Sequence, residues 1–125
     1  MQEPSTAIDA YKAIIDRIVD EARDSIGVKL LKEGRFTKCP DFQHFNDFVR
    51  HLSEDQRMIL AQMLNFEREG VIQDVLAELT WWIYTRDVGL TFRGEPMPID
   101  LSGMGLHGDF VGRLQNWEWP DVKTS

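Results

Sequence analysis

Between Ser53 and Arg86, apolar positions recur at the three- and four-residue spacing of amphipathic helices. Ser53-Glu54-Asp55-Gln56 has the form of a capping box: the serine hydroxyl accepts from the amide three residues on, and the glutamine side chain reaches back. Ile59, Leu60, Met63, Leu64 and Phe66 then share one broad face. Ile72, Val75, Leu76, Leu79, Trp82 and Ile83 make a second face of the same period. Gly70 stands between them, in the kind of position where a left-handed residue often ends a helix. The pattern predicts two helices, 54–69 and 71–87, folded against each other as a hairpin.

Two more helices are expected upstream. Ile8, Tyr11, Ile14, Ile15, Ile18, Val19, Ala22 and Ile26 form a long stripe over 6–26, with Thr6 as its N-cap and Asp9, Asp16 and Asp20 on its outer side. Phe42, Phe45, Val49 and Leu52 mark a helix over 41–52, which Pro40 suits as an opening residue. From Gly89 onward the texture changes, and six of the nine glycines and three of the five prolines fall there. Phe92, Leu106, Phe110, Trp117 and Trp119 make this stretch too apolar for a disordered tail. It is expected to wrap over the helices. Trp117 and Trp119, two positions apart and followed by Pro120, should lie on one side of an extended segment, with Glu118 outward. The expected fold class is all-α: one domain over 1–125, with a core of about four main helices in 1–88 and an irregular segment, 89–125, packed on it.

Composition narrows the function classes. The single cysteine, Cys39, cannot form an internal disulfide, and no Cys/His array with zinc-ligand spacing is present. The N-terminal stretch lacks a basic, apolar leader, and no apolar run approaches the ~20 residues of a membrane span. A soluble, cytoplasmic protein without membrane contact is the expectation. With 14 Lys+Arg against 21 Asp+Glu, the net charge of −7 disfavours nucleic acid. Lys29, Lys32, Arg35 and Lys38 read as a solvated helix end and loop. The acidic balance points to a basic protein partner, with Asp9, Asp16 and Asp20 as candidate contacts.

Candidate chemistry is sparse. Glu67 falls in the middle of an apolar arc, so it should be buried and paired with a base such as Arg113 or with backbone amides. His44, Asp47 and His51 share a polar helix side but stand too far apart for one metal ion. Gly103-Met104-Gly105-Leu106-His107-Gly108-Asp109 is a glycine-rich loop that reads first as a tight turn with His107 packing or capping, and alternatively as a site with His107 as a base and Asp109 nearby. No metal or other cofactor is indicated. Two functions follow: a non-enzymatic acidic helical protein that binds a protein partner, as a monomer or weak homodimer; or a small-molecule-binding or hydrolytic protein. The second would use a pocket between the fourth helix and the C-terminal segment, lined by Glu67, Trp81, His107, Asp109, Arg113 and Trp117.

Overall fold

A computed structural model describes residues 3–120. Helix α1 (Ala7–Arg23) opens where the Thr6 hydroxyl accepts from the Asp9 amide at 3.2 Å. It stops short of Gly27 because Ser25 starts a new helix, α2 (Ile26–Leu31), by accepting from the Val28 amide at 3.3 Å. A competing cap therefore divides the expected 6–26 helix. A 3-10 turn at Pro40–Phe42 leads into α3 (Gln43–Arg50), and α4 (Glu54–Thr85) follows. A short antiparallel ribbon, β1 (Thr91–Phe92) with β2 (Glu95–Pro96), precedes α5 (Gly105–Leu114). The chain is thus all-α apart from this ribbon, and four of its described helices run to eight residues or more.

Helix α4 corrects the expected hairpin. Its capping box forms, with the Ser53 amide donating to Gln56 Oε1 at 2.8 Å and the Gln56 amide to Ser53 Oγ at 3.1 Å. Gly70, however, keeps a right-handed conformation inside one helix of 32 residues. A glycine in a helix interior costs only about 1 kcal/mol, which the surrounding turns outweigh. Without a hairpin the two broad apolar arcs do not face each other. Leu76 and Thr80 are buried and Leu60 and Leu64 half-buried, whereas Ile59, Met63, Phe66, Val75 and Trp82 are exposed.

Two compact units make up the chain: one draws on the sequence up to Asp20 and from Val71 onward, the other is Glu21–Gly70. The core of the first includes Tyr11, Ile15 and Val19 of α1, Leu76 of α4, and Leu106 and Phe110 of α5. Helix α5 ends in a Schellman turn around Asn116, which takes a φ of 64°. The Trp117 amide donates to the Gly112 carbonyl at 2.8 Å and the Asn116 amide to that of Arg113 at 3.2 Å. This reversal lays the Trp117 ring on Gly112 and carries Trp119 to α1. Both indoles are half-buried with Glu118 exposed, as the two-residue spacing predicts. Trp119 Nε1 donates to Asp16 Oδ2 at 3.0 Å, and Arg113 Nε donates to Asp16 Oδ1 at 2.6 Å. Asp16 therefore does not lie on a free outer face, because the returning segment covers it.

In the second unit Leu30, Leu31 and Val49 are buried together with a polar side chain, Asn46. The amide of Asn46 fixes the loop before α3: its Oδ1 accepts from the amides of Phe36 (2.7 Å) and Thr37 (3.0 Å), and its Nδ2 donates to the Thr37 carbonyl at 2.8 Å.

Candidate binding surface

The glycine-rich segment before and within α5 is organised by two carboxylates. Asp109 is fully buried and accepts from the Ser102 amide at 2.7 Å, the Leu101 amide at 3.2 Å and the Tyr11 hydroxyl. Burial, then the hydrogen bond to Asp109, holds the Tyr11 hydroxyl far above the usual phenol range. Asp100 accepts from the Gly105 amide at 2.7 Å and from the Tyr84 hydroxyl, and these bonds hold its carboxyl below the usual range. The same bond to Asp100, followed by desolvation, pushes Tyr84 up to about 12. Gly105 has a φ of +80°, and a Cβ there would lie 2.6 Å from Thr80 Cγ2, so only glycine lets α5 start against α4. Leu106 donates its amide to Thr80 Oγ1 at 3.1 Å.

His107 and Asp109 thus share a helix without sharing a task. The Asp109 oxygens are occupied by Tyr11 and backbone amides, while the buried His107 Nδ1 has no hydrogen-bond partner among the described residues. Arg113 is bound to Asp16, donates to the Trp117 carbonyl and stacks 5.2 Å from the Trp119 ring centroid. Trp81 is exposed, 5.4 Å from Trp82 and 5.1 Å from the Arg86 guanidinium. Glu67 is exposed on α4, which overturns its expected burial. It sits on the half of the apolar arc that the absent hairpin leaves uncovered. Asp9 and Asp20 are exposed as expected. No group of three or more His, Cys, Asp or Glu with metal-binding geometry occurs among the described residues, and no described helix is long and apolar enough to cross a membrane.

The Glu21–Gly70 unit holds a more open surface. Phe36, Phe45 and Phe48, with Val49, Leu60 and Leu64, line a groove of about 190 Å³ with no polar wall. Phe48 is 62% exposed, and Phe42 stacks on Phe45 at 5.3 Å. The groove exists because α3 turns Asn46 and Val49 inward, which leaves its phenylalanines at the mouth. The helical stripe of the sequence contained Phe42 and Phe45, which periodicity alone assigned to a core, but not Phe36 or Phe48.

The same loop and helices also carry positive charge. Arg35 precedes Phe36, Arg50 follows Val49, and Arg57 lies one turn before Leu60. These three, with Lys38, line a separate cleft.

Over residues 4–121 the sequence matches the model of a family of unknown function (DUF6547), and the chain belongs to that family. No curated protein and no solved structure matches it.

Proposed function

We infer that this chain is a non-enzymatic protein-binding module that receives an amphipathic helix of a protein partner in the groove between the 35–38 loop, α3 and α4. The observation that carries the reading is the all-apolar lining of that groove beneath an exposed phenylalanine rim. Contiguous exposed apolar surface is uncommon on a soluble domain and marks interaction sites. A volume of about 190 Å³ suits one large apolar anchor, since engineered cavities of about 150 Å³ take benzene. Helices present such anchors at i, i+3 or i+4 and i+7 to a groove. Arg35, Arg50 and Arg57 stand within three positions of the lining residues Phe36, Val49 and Leu60 in the sequence, which favours a partner helix with acidic residues beside its anchors. That sign is opposite to the one the whole-chain charge asks for, because −7 is an average over surfaces of unlike charge.

Selection from a displayed library of helical peptides tests this. The expected outcome is enrichment of acidic amphipathic sequences whose binding is lost in Phe48→Asp and Leu60→Asp. Failure to enrich any helix, or enriched peptides that still bind both variants, overturns the reading. A dimer in sedimentation that Phe48→Asp dissolves would assign the groove to a second copy instead.

A further inference from the structure

The Glu21–Gly70 unit has a second hollow, a cleft of about 620 Å³ with four cations on its walls, Arg35, Lys38, Arg50 and Arg57, against one acid, Glu33. This is a local excess of positive charge in a chain of net −7. Two of the cations are partly engaged: Arg35 Nη2 meets Glu33 at 2.8 Å, and Arg50 reaches Asp47 at 3.4 Å between exposed side chains. Lys38 and Arg57 form no ion pair among the described residues. Like charges gathered at a cleft repel one another, and a bound anion relieves that repulsion.

The cleft is also built rather than left over. Gly34 ends α2 with a φ of +81°, and a Cβ at that position would lie 2.8 Å from Arg57 Nη1. The glycine therefore serves twice, taking the left-handed turn and letting the Arg57 guanidinium lie against the backbone. The backbone of Phe36 and Thr37, just before Lys38, is held by the buried Asn46. The cations thus stand on a fixed loop and on two helices.

We propose that this cleft binds a compact phosphate-type dianion, with Arg57 and Lys38 as the principal contacts and Arg50 as a third. A guanidinium offers paired N–H donors that match two oxygens of a tetrahedral anion, and an ammonium adds a point charge. The excess of cations over acids at the cleft favours a dianion over a single carboxylate. At about 620 Å³ the cleft exceeds the size of phosphate alone, so it suits a small molecule carrying a phosphate monoester. This goes beyond the groove reading, because the groove needs apolar anchors and the cleft needs none.

Titration calorimetry with inorganic phosphate at constant ionic strength tests the site, with glycerol phosphate and succinate as parallel probes. Saturable phosphate binding tighter than about 10 mM is expected, with glycerol phosphate binding more tightly and succinate less. Arg57→Gln and Lys38→Gln should each weaken it about tenfold. Gly34→Ala should weaken it as well, although no charge is removed, because the new methyl displaces Arg57. Phe48→Asp should leave phosphate binding unchanged while abolishing peptide binding, so the two readings can fail separately. Circular dichroism of each variant confirms that it is folded. Absence of saturation, equal affinity for succinate, or affinity unchanged in both charge variants overturns the proposal.

Discussion

Replacing Asp109 should unfasten the C-terminal segment from α1. Its carboxylate, fully buried, accepts from the Ser102 amide at 2.7 Å, the Leu101 amide at 3.2 Å and the Tyr11 hydroxyl. A buried donor left without its acceptor costs about 1–3 kcal/mol. Asp109→Ala strands the Ser102 and Leu101 amides, at about 1–3 kcal/mol each, while the Tyr11 hydroxyl keeps the Ile99 carbonyl at 3.0 Å, so a loss of about 2–5 kcal/mol is expected. Asp109→Asn is milder. Its Oδ1 still accepts from Ser102, its amide can donate to the Tyr11 oxygen, and the Tyr11 hydroxyl can turn to the Ile99 carbonyl, already at 3.0 Å. Only the Leu101 amide is stranded, at about 1–3 kcal/mol. Tyr11→Phe removes one donor for a similar cost, and the double variant with Asn should lose less than the two singles summed. Urea unfolding followed by tryptophan fluorescence measures all four proteins. An Ala variant within about 1 kcal/mol of the parent, or strict additivity in the cycle, would refute this account of the segment.

Gly70→Ala should stabilise by about 0.5–1 kcal/mol, read as a higher midpoint in urea, because Gly70 is helical and a Cβ there meets nothing within 4 Å. Phe66→Gln should change stability by no more than about 0.5 kcal/mol, since Phe66 is 78% exposed, while Leu76→Ala on the buried stripe should cost about 2–5 kcal/mol. Stopping the chain after Asn116 should cost several kcal/mol by calorimetry, because it removes two half-buried indoles and the Asp16–Trp119 bond; residues 121–125 lie outside the described part. The Tyr84–Asp100 pair makes stability fall at both ends of the pH scale. Asp100, held low, contributes above about pH 4 and that contribution is lost as pH falls further; Tyr84, raised to about 12, contributes below about pH 10 and is lost as pH climbs towards 12. Thermal midpoints of Tyr84→Phe across pH should show shallower loss at both extremes.

The existence of the helices was legible because caps and period are local. Thr6, the Ser53–Gln56 box and the Trp117/Trp119 spacing each act within a few residues, and each appears as expected. What the sequence left hidden depended on partners distant along the chain. Gly70 is compatible with both a break and a continuous helix, and its residue type alone does not decide between them. Once the helix continues, Glu67, Met63 and Phe66 lose the neighbour that made them look interior. Asp109 was singled out for the chemistry of its loop, but its partner is Tyr11, 98 positions away. Asn46 carried no signal beyond its place one turn before Val49, so the loop it fixes, and the cleft of Arg57 with it, could not be foreseen. The phenylalanines of α3 were visible as apolar, but a stripe does not announce whether the chain covers it.

The unit that joins both ends of the chain has a consequence for how the protein is made. Its contacts Tyr11–Asp109, Asp16–Arg113 and Asp16–Trp119 close loops of 98, 97 and 103 residues. During synthesis α1 emerges first, and its apolar stripe must wait for about another hundred residues before Phe110 and Trp119 arrive. At about 5–20 residues per second that wait lasts roughly 5–20 s. Residues 21–70, by contrast, contain their own partners and can collapse on the ribosome during the interval. The loop-closure entropy of the long contacts grows only with the logarithm of their length, so the cost falls on the rate of folding more than on final stability. Helix α1 is therefore the element that stays longest without its partners, and this unit cannot close until Trp119 has been made.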